Sequence, residues 1–145
     1  MDKTNQKNQA ALIWSIADIL RGGWHQYEYQ NVILPMVVLK RLDSILADTK
    51  AKVLEKNNEY KGQVDVDPIL KKTSSVGFYN TSPYDFKKLT EDPSNIAKNF
   101  NYYLNGFSEN IRDIFQKFDF GVQLERLEGG NLLFLIIQEL NKVDL

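Results

Sequence analysis

The chain has 145 residues, the size of one ordinary domain, and its 43% hydrophobic and 26% charged residues fit a folded globular protein and exclude a disordered one. Eighteen basic against nineteen acidic residues leave a net charge of −1, so the chain has no global attraction for nucleic acid and any DNA contact has to come from a local patch. The absence of cysteine excludes disulfides and thiolate metal sites and suits a cytoplasmic protein. The polar start MDKTNQKNQ lacks the apolar segment of a signal peptide, and the longest apolar run, Val32 to Leu39, is too short to span a membrane.

The first helical pattern covers Asn8 to Arg21. Leu12, Ile13, Ile16, Ala17 and Leu20 fall at the spacings of one apolar stripe, while Trp14, Asp18 and Arg21 share another face. Trp14 lies off the main stripe and needs a packing partner of its own, within the bundle or on another domain. Gly22-Gly23 is expected to end the helix in the left-handed conformation. A second pattern starts between Glu28 and Val32 and runs to about Asn57. Pro35 lies in its first turn if Val32 caps it, and kinks it if it starts near Glu28; helical spacing of Tyr29, Val32, Ile33 and Met36 favours the kink. Every face of Val32 to Leu39 is apolar, which predicts the buried centre of a bundle, and the far end, Glu55 to Gly62, is polar.

Residues 63 to 92 are the least regular part. Asp67-Pro68 opens a short helix through Lys72, and a long loop from Thr73 to Tyr84 follows. Asp92 caps a further helix with Pro93 as its first residue, running to Leu104 and stopping at Asn105-Gly106; Ser108 caps the next, which ends near Phe118. Phe100, Tyr103, Phe107, Ile111, Ile114, Phe115 and Phe118 form the aromatic core of that hairpin. A short helix spans Val122 to Leu127, Gly129-Gly130 ends it, and Asn131 caps a last, buried helix, LLFLIIQEL. No strand pair alternates clearly. The fold class is therefore all-α, a single bundle of about five to seven helices with an irregular middle segment.

No catalytic constellation stands out. His25 is the only histidine, and one histidine without cysteine or a second spaced histidine does not make a metal site. Thr81-Ser82-Pro83-Tyr84 invites comparison with the Asn/Asp/Ser-Pro-Pro-Tyr/Phe loop of DNA amino-methyltransferases. The second proline is missing, no glycine-rich cofactor turn lies upstream, and the segment reads as a turn. Lys40 and Arg41 sit at the rim of the apolar central helix. They are either a solvated edge or a contact with phosphate or an acidic partner surface, and Lys71-Lys72 and Lys87-Lys88 are further basic pairs.

Several short pieces occur in a fixed order. They are Leu12 to Gly22, Glu28-Tyr29, the apolar helix through Leu39-Lys40-Arg41-Leu42, and Gly77-Phe78-Tyr79-Asn80. Phe107-Ser108-Glu109-Asn110, Asp113-Ile114-Phe115, Phe118-Asp119-Phe120, Asn131-Leu132-Leu133 and Val143-Asp144-Leu145 complete the set. In order and spacing the chain resembles, over nearly its whole length, the N-terminal helical domain of the M (modification) subunit of type I restriction–modification systems. The resemblance implies one helical N-terminal domain over residues 1–145, with a catalytic S-adenosylmethionine-binding domain downstream and absent from this chain. It implies an adenine-specific DNA methyltransferase assembled from two M subunits and a specificity (S) subunit, joined by restriction (R) subunits and acting on double-stranded DNA. No catalytic, cofactor or metal residue of that family is carried over, because none of its motifs occurs here. The rival readings are a helical interaction module unrelated to restriction, and a small stand-alone methyltransferase using Ser82-Pro83-Tyr84.

Overall fold

A computed structural model describes residues 3–143 and 145, with side chains from Lys7 onward; Asp144 of the closing triplet lies outside the described residues. Among these residues there are nine α-helices and two single 3-10 turns. In chain order they are α1 (Lys3–Leu20), a 3-10 turn (Gln26–Glu28), α2 (Gln30–Leu46), α3 (Lys50–Tyr60), α4 (Asp67–Ser74) and α5 (Phe86–Leu89). A second 3-10 turn (Pro93–Asn95) leads into α6 (Ile96–Asn105), α7 (Glu109–Lys117), α8 (Phe120–Gly129) and α9 (Leu133–Leu140). The fold is all-α as expected. It exceeds five to seven helices because the long second pattern breaks in two and the irregular middle folds a four-residue helix, α5.

The core follows the stripes. Leu12, Ile16, Ala17 and Leu20 of α1 are buried against α9, whose Leu133, Ile136, Ile137 and Leu140 are buried in turn. Ile13, counted on the stripe, is half exposed, and Trp14 is 68% exposed. The end of α1 is not closed by left-handed glycine. The amides of Gly23 and Trp24 both donate to the Leu20 carbonyl, and the positive-φ glycines are Gly62 and Gly77.

Helix α2 starts at Gln30, directly after the 3-10 turn, so Pro35 falls in its second turn and not its first. The proline removes the amide that would bond to the Asn31 carbonyl. The expectation of an all-round buried segment fails here. Val32, Ile33, Met36 and Leu39 are buried, but Leu34 is 61% and Val38 46% exposed. At Ala47–Thr49 the helix ends. The amides of Ala47 and Thr49 bond three residues back, to Ser44 and Leu46, and such tight turns redirect the chain. Helix α3 then packs on α4 around a second small core of Val53, Leu70 and Tyr79.

The second half is built on aromatics. Phe86, Phe100, Tyr103 and Phe107 interlock edge-on or stacked with centroids 5.1–6.5 Å apart. Ile114 and Phe118 do not join them, being 45% and 69% exposed. Helix α8 is longer than Val122 to Leu127. Asn131 does not cap α9; it adopts a left-handed conformation (φ 58°), and Leu132 precedes the helix.

Candidate functional site

Lys40 and Arg41 are adjacent in sequence but about 100° apart around α2, and the fold uses them differently. The Lys40 ammonium, half-buried, lies 5.7 Å from the centroid of the Phe86 ring. Arg41 is exposed, and among the described residues no carboxylate lies within ion-pair distance of it. Phe86 opens α5, which carries Lys87 and Lys88, both exposed; the pair thus lies beside Lys40. Lys71, by contrast, is paired with Asp67 at 3.0 Å on α4.

Beneath this basic edge lies a polar network that the sequence did not announce. The break between α2 and α3 turns Lys50 inward, where its ammonium donates to Asn80 Oδ1 (3.1 Å) and the Tyr84 carbonyl (2.9 Å). Burial lowers its pKa to about 8. One turn before the break, Asp43 accepts from the Tyr103 hydroxyl (2.9 Å) and the Phe86 amide (3.4 Å). Burial raises the Asp43 carboxyl above its ordinary range, against the bond from Tyr103. Asp43, Lys50, Asn80, Asp85 and Tyr103 border a cavity of about 90 Å³. Lys40 lies near Asp43, and Lys50 lies near Asp43, Asp85 and Lys88, so cations and carboxylates alternate around this cavity.

The same network joins two pieces of sequence that lie far apart in the chain. Gly77-Phe78-Tyr79-Asn80 runs antiparallel to Phe107-Ser108-Glu109-Asn110. An isolated bridge pairs Asn80 with Phe107, the Thr81 amide donates to the Gly106 carbonyl (2.8 Å), and the Ser108 amide donates to the Tyr79 carbonyl (3.0 Å). The Ser108 hydroxyl does not cap α7. It accepts from the Tyr79 amide (3.3 Å) and donates to Asn110 Oδ1 (2.6 Å), while Asn110 Nδ2 donates to the Gly77 carbonyl (3.0 Å). Asn80 Nδ2 donates to the Tyr103 carbonyl (2.8 Å), so every polar atom of this side chain is used. The paired motifs are a clasp. They hold the irregular segment on the α6–α7 hairpin, and Lys50 fastens the result to α3.

Ser82-Pro83-Tyr84 is part of the clasp. The Ser82 hydroxyl, buried, donates to Asn80 Oδ1 (2.6 Å) and accepts from the Tyr84 amide (3.3 Å), which makes the segment a turn. Tyr84 meets Tyr102 edge-on at 5.9 Å. His25 is exposed and stacks on Tyr27 (5.4 Å). The elbow that carries them is clamped from α8. Arg126 donates to Glu28 and to the Gly23 carbonyl and lies 4.4 Å from the Trp24 ring centroid, while Trp24 Nε1 donates to Gln123 (3.0 Å). The guanidinium holds the Glu28 carboxyl below its ordinary range. No helix among the described residues is long and apolar enough to cross a membrane.

No curated protein and no solved structure matches the chain. The two paired motifs and the clamped elbow lie within residues 10–140, which match the family HsdM N-terminal domain. The chain therefore belongs to the HsdM N-terminal domain family, the helical module of type I restriction–modification M subunits.

Proposed function

We propose that this module helps a type I adenine-specific DNA methyltransferase close over double-stranded DNA and assemble with its specificity subunit. The second M subunit and the restriction subunits complete the proposed assembly. S-adenosylmethionine and the methyl-transfer residues belong to a catalytic domain downstream, and this chain contributes no catalytic residue. The observation that carries the reading is the family match over residues 10–140. Physical chemistry is consistent with it. A chain of net charge −1 binds DNA weakly alone, but once tethered to DNA-bound subunits it adds a few phosphate contacts at high effective concentration.

Lys40 is the proposed phosphate contact, with Lys87 and Lys88 exposed beside it; Arg41, on the outer face of α2, is the proposed contact with an acidic partner surface. The test is Lys40→Gln and Lys87→Gln in the full-length M–S assembly. Each lost phosphate contact should weaken DNA binding similarly across sequences and flatten its salt dependence by about one unit. A drop in thermal stability with unchanged salt dependence would assign Lys40 to packing on Phe86 and refute the DNA contact.

A further inference from the structure

We infer that the outer face of α2 is a seam for one helix of a partner protein, an amphipathic helix whose apolar stripe carries a carboxylate opposite Arg41. The side chains of α2 that face away from the core are Asn31, Leu34, Val38, Arg41 and Ile45. Their spacings alternate three, four, three, four, the pattern with which one helix packs nearly parallel against another. All five are exposed, and three of them are large aliphatics, where a solvated helix face carries polar groups. The seam is about 21 Å long from Asn31 to Ile45 at 1.5 Å per residue, so the partner helix needs about four turns.

The first half of the seam, Asn31 to Val38, has a second wall. Ile114 and Phe118 of the α7 region, also exposed, face Leu34, Pro35 and Val38 across a groove of about 470 Å³. A helix laid in it touches both walls.

Charge selects the occupant. Arg41 is the single charged group within the stripe, and no carboxylate among the described residues neutralises it. Covering it with a purely apolar helix would strand a guanidinium away from water, which is strongly unfavourable. The α2 helix of a second copy supplies no carboxylate opposite Arg41. Parallel pairing in register sets Arg41 against Arg41, and antiparallel pairing about Val38 sets it against Pro35. DNA would satisfy Arg41 but leave the aliphatic stripe and Phe118 without a partner. A helix with one acidic residue in its apolar face satisfies both requirements.

The inference rests on the proposed role of Arg41 as a partner contact, and owes nothing to the DNA contact of Lys40. Two synthetic helical peptides of about three heptads test it on the 145-residue chain. Both have leucine at the seam-facing positions, and they differ only in glutamate or lysine opposite Arg41. Fluorescence anisotropy should show one-to-one saturable binding of the glutamate peptide, at least about fivefold tighter than the lysine peptide. Arg41→Glu should reverse that order. Val38→Asp, or Leu34→Asp if the first unfolds, should abolish binding of both peptides; both positions are exposed. Equal binding of the two peptides, or binding that survives Val38→Asp, overturns the inference. Self-association of the chain that Val38→Asp removes assigns the seam to a second copy instead. Loss of duplex DNA binding on Val38→Asp assigns it to nucleic acid. Salt dependence of DNA binding in the Lys40→Gln assembly is a separate readout, so failure there and failure here are told apart.

Discussion

At the residue scale the clasp concentrates its demands on Gly106 and Asn80. Gly106 has an ordinary right-handed helical conformation (φ −79°), so its need for glycine does not come from backbone freedom. A Cβ at this position would lie 2.8 Å from Asn80 Oδ1 and 2.8 Å from the Ser82 amide nitrogen, closer than a carbon can sit. Neither neighbour has room to retreat, since Asn80 is held by Lys50, Ser82 and Tyr103. Gly106→Ala should therefore destabilise the chain by about 1–3 kcal/mol, as overpacking of a tight site does. Urea denaturation measures it, and a neutral substitution would show that the clasp is loosely packed. In the sequence Asn105-Gly106 reads correctly as a helix stop, but the reason for the glycine is not legible there. It lies in a loop some 25 residues earlier, and proximity between distant segments leaves no local pattern. The same holds for Ser108, which occupies a cap position yet spends its hydroxyl on the Tyr79 amide.

At the element scale α2 separates what periodicity can and cannot report. Its existence and its apolar content are plain from the sequence, because Val32 to Leu39 contains no charged residue. Which of its faces is covered is not plain, because an all-apolar helix has no moment to point with. Two leucines on this helix make the contrast measurable. Leu39 is fully buried, and Leu39→Ala should cost about 2–5 kcal/mol as a large-to-small change in a packed core. Leu34 is exposed on the outer seam, and Leu34→Ala should lie within about 0.5 kcal/mol of the parent. Comparable losses at the two positions, measured by denaturant unfolding, would place Leu34 in the core of the isolated chain and remove the free seam. Lys50 is illegible for a related reason. A lysine at the start of a polar helix reads as solvated, and only the three-residue break at Ala47–Thr49 turns it inward. Apolar periodicity predicts a rim for Lys40 and Arg41 together. Their division between the Phe86 side and the outer seam depends on α5, which is too short to announce itself.

At the scale of the whole molecule the half-buried Lys50 and Asp43 and the buried Tyr103 make stability depend on pH in a defined direction. The Lys50 ammonium has a pKa of about 8 in the folded chain against an ordinary 10.5, because burial disfavours its charge. Between those values the unfolded chain holds a proton that the folded chain has released, so raising the pH favours folding. Below pH 8 both states are protonated and Lys50 adds no slope. Burial raises the Tyr103 phenol well above its ordinary 10, and Tyr79 shifts in the same direction through burial and its bond to Asp67. Above pH 10 the unfolded tyrosines ionise while the folded ones do not, and stability falls. Unfolding free energy should therefore rise from pH 8, by at most about 1.4 kcal/mol per unit, and turn over near pH 10. Lys50→Met removes the titrating group. It should lower the absolute stability, because Asn80 Oδ1 and the Tyr84 carbonyl lose a donor, and it should also erase the rise between pH 8 and 10. Urea titrations of both chains at half-unit steps over that window measure the slopes directly. A parent chain whose stability falls steadily from pH 8, or a Lys50→Met chain that keeps the rise, would show that the ammonium is solvated and that the clasp is not fastened through it.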